Sequence, residues 1–119
     1  MKNLNEYVLE SLVDDKINRN KVDDNTVREL TMYAKNDYTI YKKYEAVAKS
    51  LIRKYNRDKD NFAPDEDTLV GSSVVQKIVS DIINSYKKQF DLPSLNNDTR
   101  WAIKEAVSKL ILNYYDENK

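Results

Sequence analysis

Between residues 56 and 67 the chain reads NRDKDNFAPDED, and its oxygen donors fall at the spacing of a calcium loop. Counted as a twelve-residue loop, Asn56, Asp58 and Asp60 take positions one, three and five, and Asp67 takes position twelve. Hard oxygen ligands at alternate positions can wrap a divalent cation, and the stretch lies between two helical patterns, as such a loop does. Three features oppose this reading. Asn61 stands where glycine is expected, Pro64 sits at position nine, and the last ligand is Asp rather than the longer, bidentate Glu. The competing reading is an acidic surface loop whose aspartates cap the helix that follows, with no metal.

A second constellation is basic. On a helical wheel for residues 38–55, Lys42, Lys49 and Arg53 form a ridge opposite the apolar arc, with Lys43 and Lys54 beside it. Cations at i+4 and i+7 spacings suit a helix lying along a phosphate backbone. Residues 35–59 carry eight basic and three acidic groups, whereas 1–34 carry five and seven and 60–119 carry seven and ten. The basic third is local, because the whole chain balances 20 Lys and Arg against 20 Asp and Glu. The bland alternative is a solvated face, and Glu45 lies next to the ridge.

Absences narrow the chemistry. There is no cysteine, so thiolate nucleophiles, disulfides and cysteine-based metal sites are excluded. There is no histidine, the usual general base near neutral pH. A single glycine, Gly71, cannot build a phosphate-cradling loop. No carboxylate pair has a spacing that places both groups on one face of a cleft. A non-enzymatic protein without a cofactor is therefore expected. No apolar run reaches the ~18 residues of a membrane span, and no apolar signal-peptide core stands near residue 1, which sets an intracellular expectation, cytoplasmic or virion-associated.

The elements that must position these groups are helices. One glycine and two prolines in 119 residues leave few tight turns, and the apolar spacing is near 3.6. The expected fold class is all-α, a compact bundle of about five helices in a single domain, 1–119. The first helix covers about 4–17, with Leu4, Val8 and Leu12 on one stripe and Leu9, Val13 and Ile17 on another. The second follows Thr26 and Glu29, which have capping-box spacing, although Asp24 or Asn25 would cap equally well, and it buries Val27, Leu30, Tyr33 and Ala34. Lys35-Asn36-Asp37 breaks it. The 38–55 helix buries Ile40, Tyr44, Val47, Ala48, Leu51 and Tyr55. The fourth begins near Thr68 or Ser73 and runs to about Phe90, with Val75, Ile78, Val79, Ile82, Ile83, Tyr86 and Phe90 on its apolar face. The last, about 99–115 and capped by Asp98, buries Ile103, Ala106, Val107, Leu110, Ile111 and Tyr114.

Two apolar groups fall outside those core faces: Leu9, Val13 and Ile17 on the first helix, and Trp101, Leu112 and Tyr115 on the last. Sandwiching within the bundle would explain them. The sharper expectation is an interface with a protein partner or a second copy, since Trp and Tyr are enriched at such contacts. Nucleic acid is the alternative partner, through Lys42, Lys49 and Arg53, and no membrane partner is expected.

The opening MKNLNEYVLESL resembles the leader of internal head proteins of T-even-type bacteriophages. Met1, Lys2, Glu6, Tyr7, Val8 and Glu10 follow the order of those leaders. The resemblance covers about ten residues. It implies delivery into an assembling phage head and cleavage after an aliphatic-x-Glu site, here Val8-Leu9-Glu10.

Overall fold

The computed structural model describes residues 17–119. A 3-10 turn, Arg19–Lys21, precedes five α-helices: α1 Asp24–Asn36, α2 Tyr38–Arg57, α3 Glu66–Val70, α4 Ser73–Lys87 and α5 Asn97–Asn118. Among the described residues there is no strand, so the chain is all-α as expected, and no helix is long and apolar enough to cross a membrane. The helix expected over 4–17 lies outside the described residues, apart from its last member, Ile17.

Every helix starts on a side chain that satisfies an otherwise orphaned backbone N–H. Asp23, Asp37, Asp65, Ser72 and Asn96 accept from the N–H groups of Thr26, Ile40, Thr68, Val75 and Thr99. Asp37 also terminates α1, its own N–H reaching Tyr33 O, so one residue both stops and restarts the chain. Several caps differ from those expected. Asp23 rather than Thr26 opens α1, because its carboxylate takes both the N–H and the hydroxyl of Thr26. Glu29 does not reach back as a capping-box partner; it accepts from the Tyr86 hydroxyl at 3.0 Å. Asn96 rather than Asp98 opens α5, and Asp98 accepts the N–H of Asn18 instead.

The helix expected between residue 68 and Phe90 is two helices. Gly71 ends α3 and Ser72 starts α4, and α4 stops at Lys87. Phe90 is exposed and stacks on Tyr86.

α5 packs against α1, α2, α3, α4 and the 3-10 turn, the one element among the described residues to touch all the others. Its buried residues, Thr99, Ala102, Ile103, Val107, Ser108, Ile111 and Tyr115, do not share one stripe. Ile103 and Ser108 lie about 140° apart around the helix. Ile103 and Ile111 meet Leu30, Ile40, Ala48, Val75, Val79 and Ile82 in the main core. Each fully buried aliphatic side chain there contributes about 1.5–3 kcal/mol by leaving water.

One expectation about α5 is corrected. Tyr115, read as an outward interface residue, is only 3% exposed, and its neighbour Tyr114, read as core, is half-buried. The reason is aromatic packing: Tyr55 from the end of α2 and Phe62 from the following loop meet the Tyr115 ring edge-on, at centroid distances of 6.0 and 6.3 Å. Those two rings enclose it.

Gly71 has an ordinary right-handed backbone (φ −79°, ψ −6°), and an added Cβ would meet nothing closer than Asp67 O at 3.6 Å. Its glycine is not required by the turn. Gly71→Ala therefore leaves the fold intact and raises stability by about 0.4–1 kcal/mol through the unfolded state. Thermal denaturation followed by circular dichroism checks this; a lowered Tm contradicts it.

Candidate interaction surface

α3 packs on α4 and α5, but no Cα atom of α3 comes within 8 Å of one in α2. The gap between them is an apolar cleft of about 690 Å³. Ala46, Val47 and Leu51 of α2 form one wall, Leu69 of α3 the other, and Val74 and Ile78 of α4 the floor. Val74 is 44% exposed, although α4 has a fully apolar inner face for its other valines and isoleucines. The cleft has a charged rim. Lys43 closes one end by pairing with Asp81 at 2.8 Å, and beyond that pair lies a polar hollow with Asp37, Thr39, Asn84 and Lys88. Lys54 and Lys77, also on the cleft's lining, form no ion pair among the described residues.

This site was not singled out from the sequence. Its signal was Val74, which falls one step off the Val75, Ile78, Val79, Ile82 face of α4. Val47 gave no signal, because it reads as an ordinary core residue of the 38–55 helix, and Leu69 fell in none of the apolar faces read from the sequence.

The basic ridge of α2 is not a free row of cations. Glu45 lies beneath it, its side chain 10% exposed, and accepts from Lys42 at 3.1 Å while pairing with Lys49 at 3.4 Å. Hydrogen bonds from Lys42, and then from Tyr41 and Lys49, outweigh desolvation and hold the Glu45 carboxyl at about 2, below its ordinary 4.5. Two of the three proposed phosphate contacts thus already share a carboxylate. Arg53 alone has no ion-pair partner among the described residues.

The oxygen donors at 56–67 are dispersed by secondary structure. Asn56 is in the last turn of α2, Asp58 caps that helix and accepts from Asn61 Nδ2, and Asp67 is inside α3. Asp65 is committed to Thr68. Among the described residues no three acidic side chains gather where an ion could sit, so Asn56, Asp58, Asp60 and Asp67 do not form the calcium loop that their spacing suggested. Phe62, anchored on Tyr115, organises the loop instead.

Of the aromatic interface residues, Trp101 is half-buried beside Gln76, Val79, Ser80, Asn97, Arg100 and Lys104, with the Lys104 ammonium 5.4 Å from its ring centroid. Leu112 is half-buried against the core. Leu9 and Val13, like the leader residues Met1 to Glu10, lie outside the described residues.

Comparison with protein-family models, with curated proteins and with solved structures finds no match to this chain.

A carboxylate whose folded pKa is depressed adds stability above its unfolded pKa and loses it as pH falls through the folded value. For Glu45 that window runs from pH 4.5 down to about 2. The Tm of the wild type therefore falls more steeply across that window than the Tm of Glu45→Gln, and the variant is the less stable at pH 7. Parallel Tm profiles for the two proteins would contradict this.

Proposed function

We propose that this chain is a small, non-enzymatic helical protein-interaction module. Its working surface is the cleft between α2, α3 and α4, and its ligand is an amphipathic helix with an apolar stripe and acidic flanks. The observation that carries this reading is the cleft itself: an open apolar trough, with Val74 exposed in it, bordered by the ammonium groups of Lys54 and Lys77, which pair with no carboxylate among the described residues. An apolar stripe at i, i+3, i+4 and i+7 fills such a trough, and carboxylates beside it answer the two lysines.

The nucleic-acid alternative loses support, since Glu45 takes Lys42 and Lys49. The leader resemblance of residues 1–10 adds a bacteriophage head as the setting for this module, and it rests on those residues alone.

The test is fluorescence anisotropy with a labelled amphipathic peptide carrying leucines at i, i+3, i+4 and i+7 and glutamates beside them. Saturable binding is expected, weakened about tenfold by Val74→Asp. Lys54→Glu with Lys77→Glu weakens it further and flattens its salt dependence. Equal binding by wild type and Val74→Asp, or none by the wild type, overturns the reading. Tighter binding of duplex DNA than of the peptide would favour the basic ridge instead.

A further inference from the structure

Between the first halves of α4 and α5 lies a second cavity, of about 320 Å³, which shares no lining residue with the cleft. We propose that it is a binding site for a small organic phosphate carrying a flat heterocycle, of the size of a nucleoside monophosphate. This site is independent of the helix-binding role given to the cleft.

The first support is how the cavity is built. Asn97, Arg100, Trp101 and Lys104 stand at i, i+3, i+4 and i+7 on α5 and so share one of its faces. Gln76, Val79 and Ser80 of α4 oppose them. Val79, only 1% exposed, is the apolar floor. No carboxylate lines the cavity.

The second support is charge without a counter-charge. Neither Arg100 nor Lys104 forms an ion pair among the described residues. The acidic residues beside the lining in sequence are engaged elsewhere. Asp98 accepts the N–H of Asn18 at 2.8 Å, both Glu105 oxygens are held by Arg19, and Asp81 pairs with Lys43. Like charges four residues apart on a helix repel each other, and an anion shared between them removes that penalty. The planar guanidinium of Arg100 matches a phosphate with two parallel bonds, and Lys104 adds a point charge. The Lys104 ammonium is 5.4 Å from the Trp101 ring centroid, so an anion held there lies beside the indole.

The third support is the space that a phosphate leaves over. The cavity falls at the low end of small-molecule sites, which run from about 300 to 1,000 Å³. Around the rest of it stand the Trp101 ring and the side-chain amides of Gln76 and Asn97. Neither amide, nor the Ser80 hydroxyl, is hydrogen-bonded among the described residues. An amide donates and accepts at once, which suits the polar edge of a heterocycle, and an indole suits the ring itself. An alkyl phosphate would leave those polar groups facing hydrocarbon.

Trp101 is the only tryptophan, so the nitrogen–proton NMR spectrum of the full chain holds one indole N–H signal. Adenosine, guanosine, cytidine and uridine monophosphates are titrated separately against it. A saturable shift of that signal is expected with at least one of them. Inorganic phosphate binds about tenfold more weakly and the free nucleoside more weakly still. Arg100→Gln and Lys104→Gln each weaken the nucleotide about tenfold with circular dichroism unchanged, since neither cation is needed by the bundle. Lys54→Gln with Lys77→Gln, which alters only the cleft, leaves it as in the wild type. No saturable shift with any of the four overturns the proposal. So does inorganic phosphate bound as tightly as the nucleotide, which marks an adventitious ion only. Equal weakening by the cleft pair and by Arg100→Gln also overturns it, because general surface charge would then explain the binding.

Discussion

A helix that has buried residues on several sides can only sit in the middle, and α5 imposes that constraint on everything else. Ile103, Val107 and Ile111 face the aliphatic interior made by α1, α2 and α4, while Tyr115 turns toward Tyr55 and Phe62. Thr99 and Ser108 are polar and fully buried, and both are satisfied locally: Thr99 accepts the N–H of Asp23, and Ser108 donates to Lys104 O one turn back. Buried hydroxyls of that kind cost little when bonded and stabilise nothing when not. The central helix therefore tolerates them only where the chain before α1 or its own backbone supplies the partner.

The same arrangement explains where the molecule is open. α2 and α3 both reach α5, from different directions, and the short α3 ends before it can close on α2. The lining between them stays apolar because Leu51, Leu69 and Ile78 must face inward for the core, while Val47 and Val74 sit at its edge. An aliphatic residue at such an edge remains in contact with water until something covers it. The Lys43–Asp81 pair sets the end of that trough, and Glu45 anchors the neighbouring ridge of lysines to the helix that bears them.

Much of the fold could be read from residue spacing. The buried faces of α1, α2 and α4 follow their 3.6-residue patterns, and Asp37 was visible as a break. Periodicity was least informative where a helix is apolar nearly all round: on α5 the wheel put Tyr114 inside and Tyr115 outside, and Tyr55 and Phe62, distant in sequence, reverse that choice. Glu45 was read as a surface group because a carboxylate normally is one; only Lys42, Lys49 and Tyr41 closing over it make its burial tolerable. The sequence offered Thr68 and Ser73 as alternative starts of one helix, and the chain starts a helix near each, on Asp65 and Ser72. The cleft was the least legible feature. It depends on two helices failing to meet, which no local pattern records.

The central claim is that α5 is the hub on which the other helices are assembled. Native-state hydrogen exchange measures this residue by residue. The account predicts that amides from Ile103 to Ile111 exchange most slowly and only through global unfolding, with α1, α3 and the ends of α2 opening at lower cost. Exchange of the α5 amides at the rate of α3, or protection greater in α1 than in α5, would contradict it.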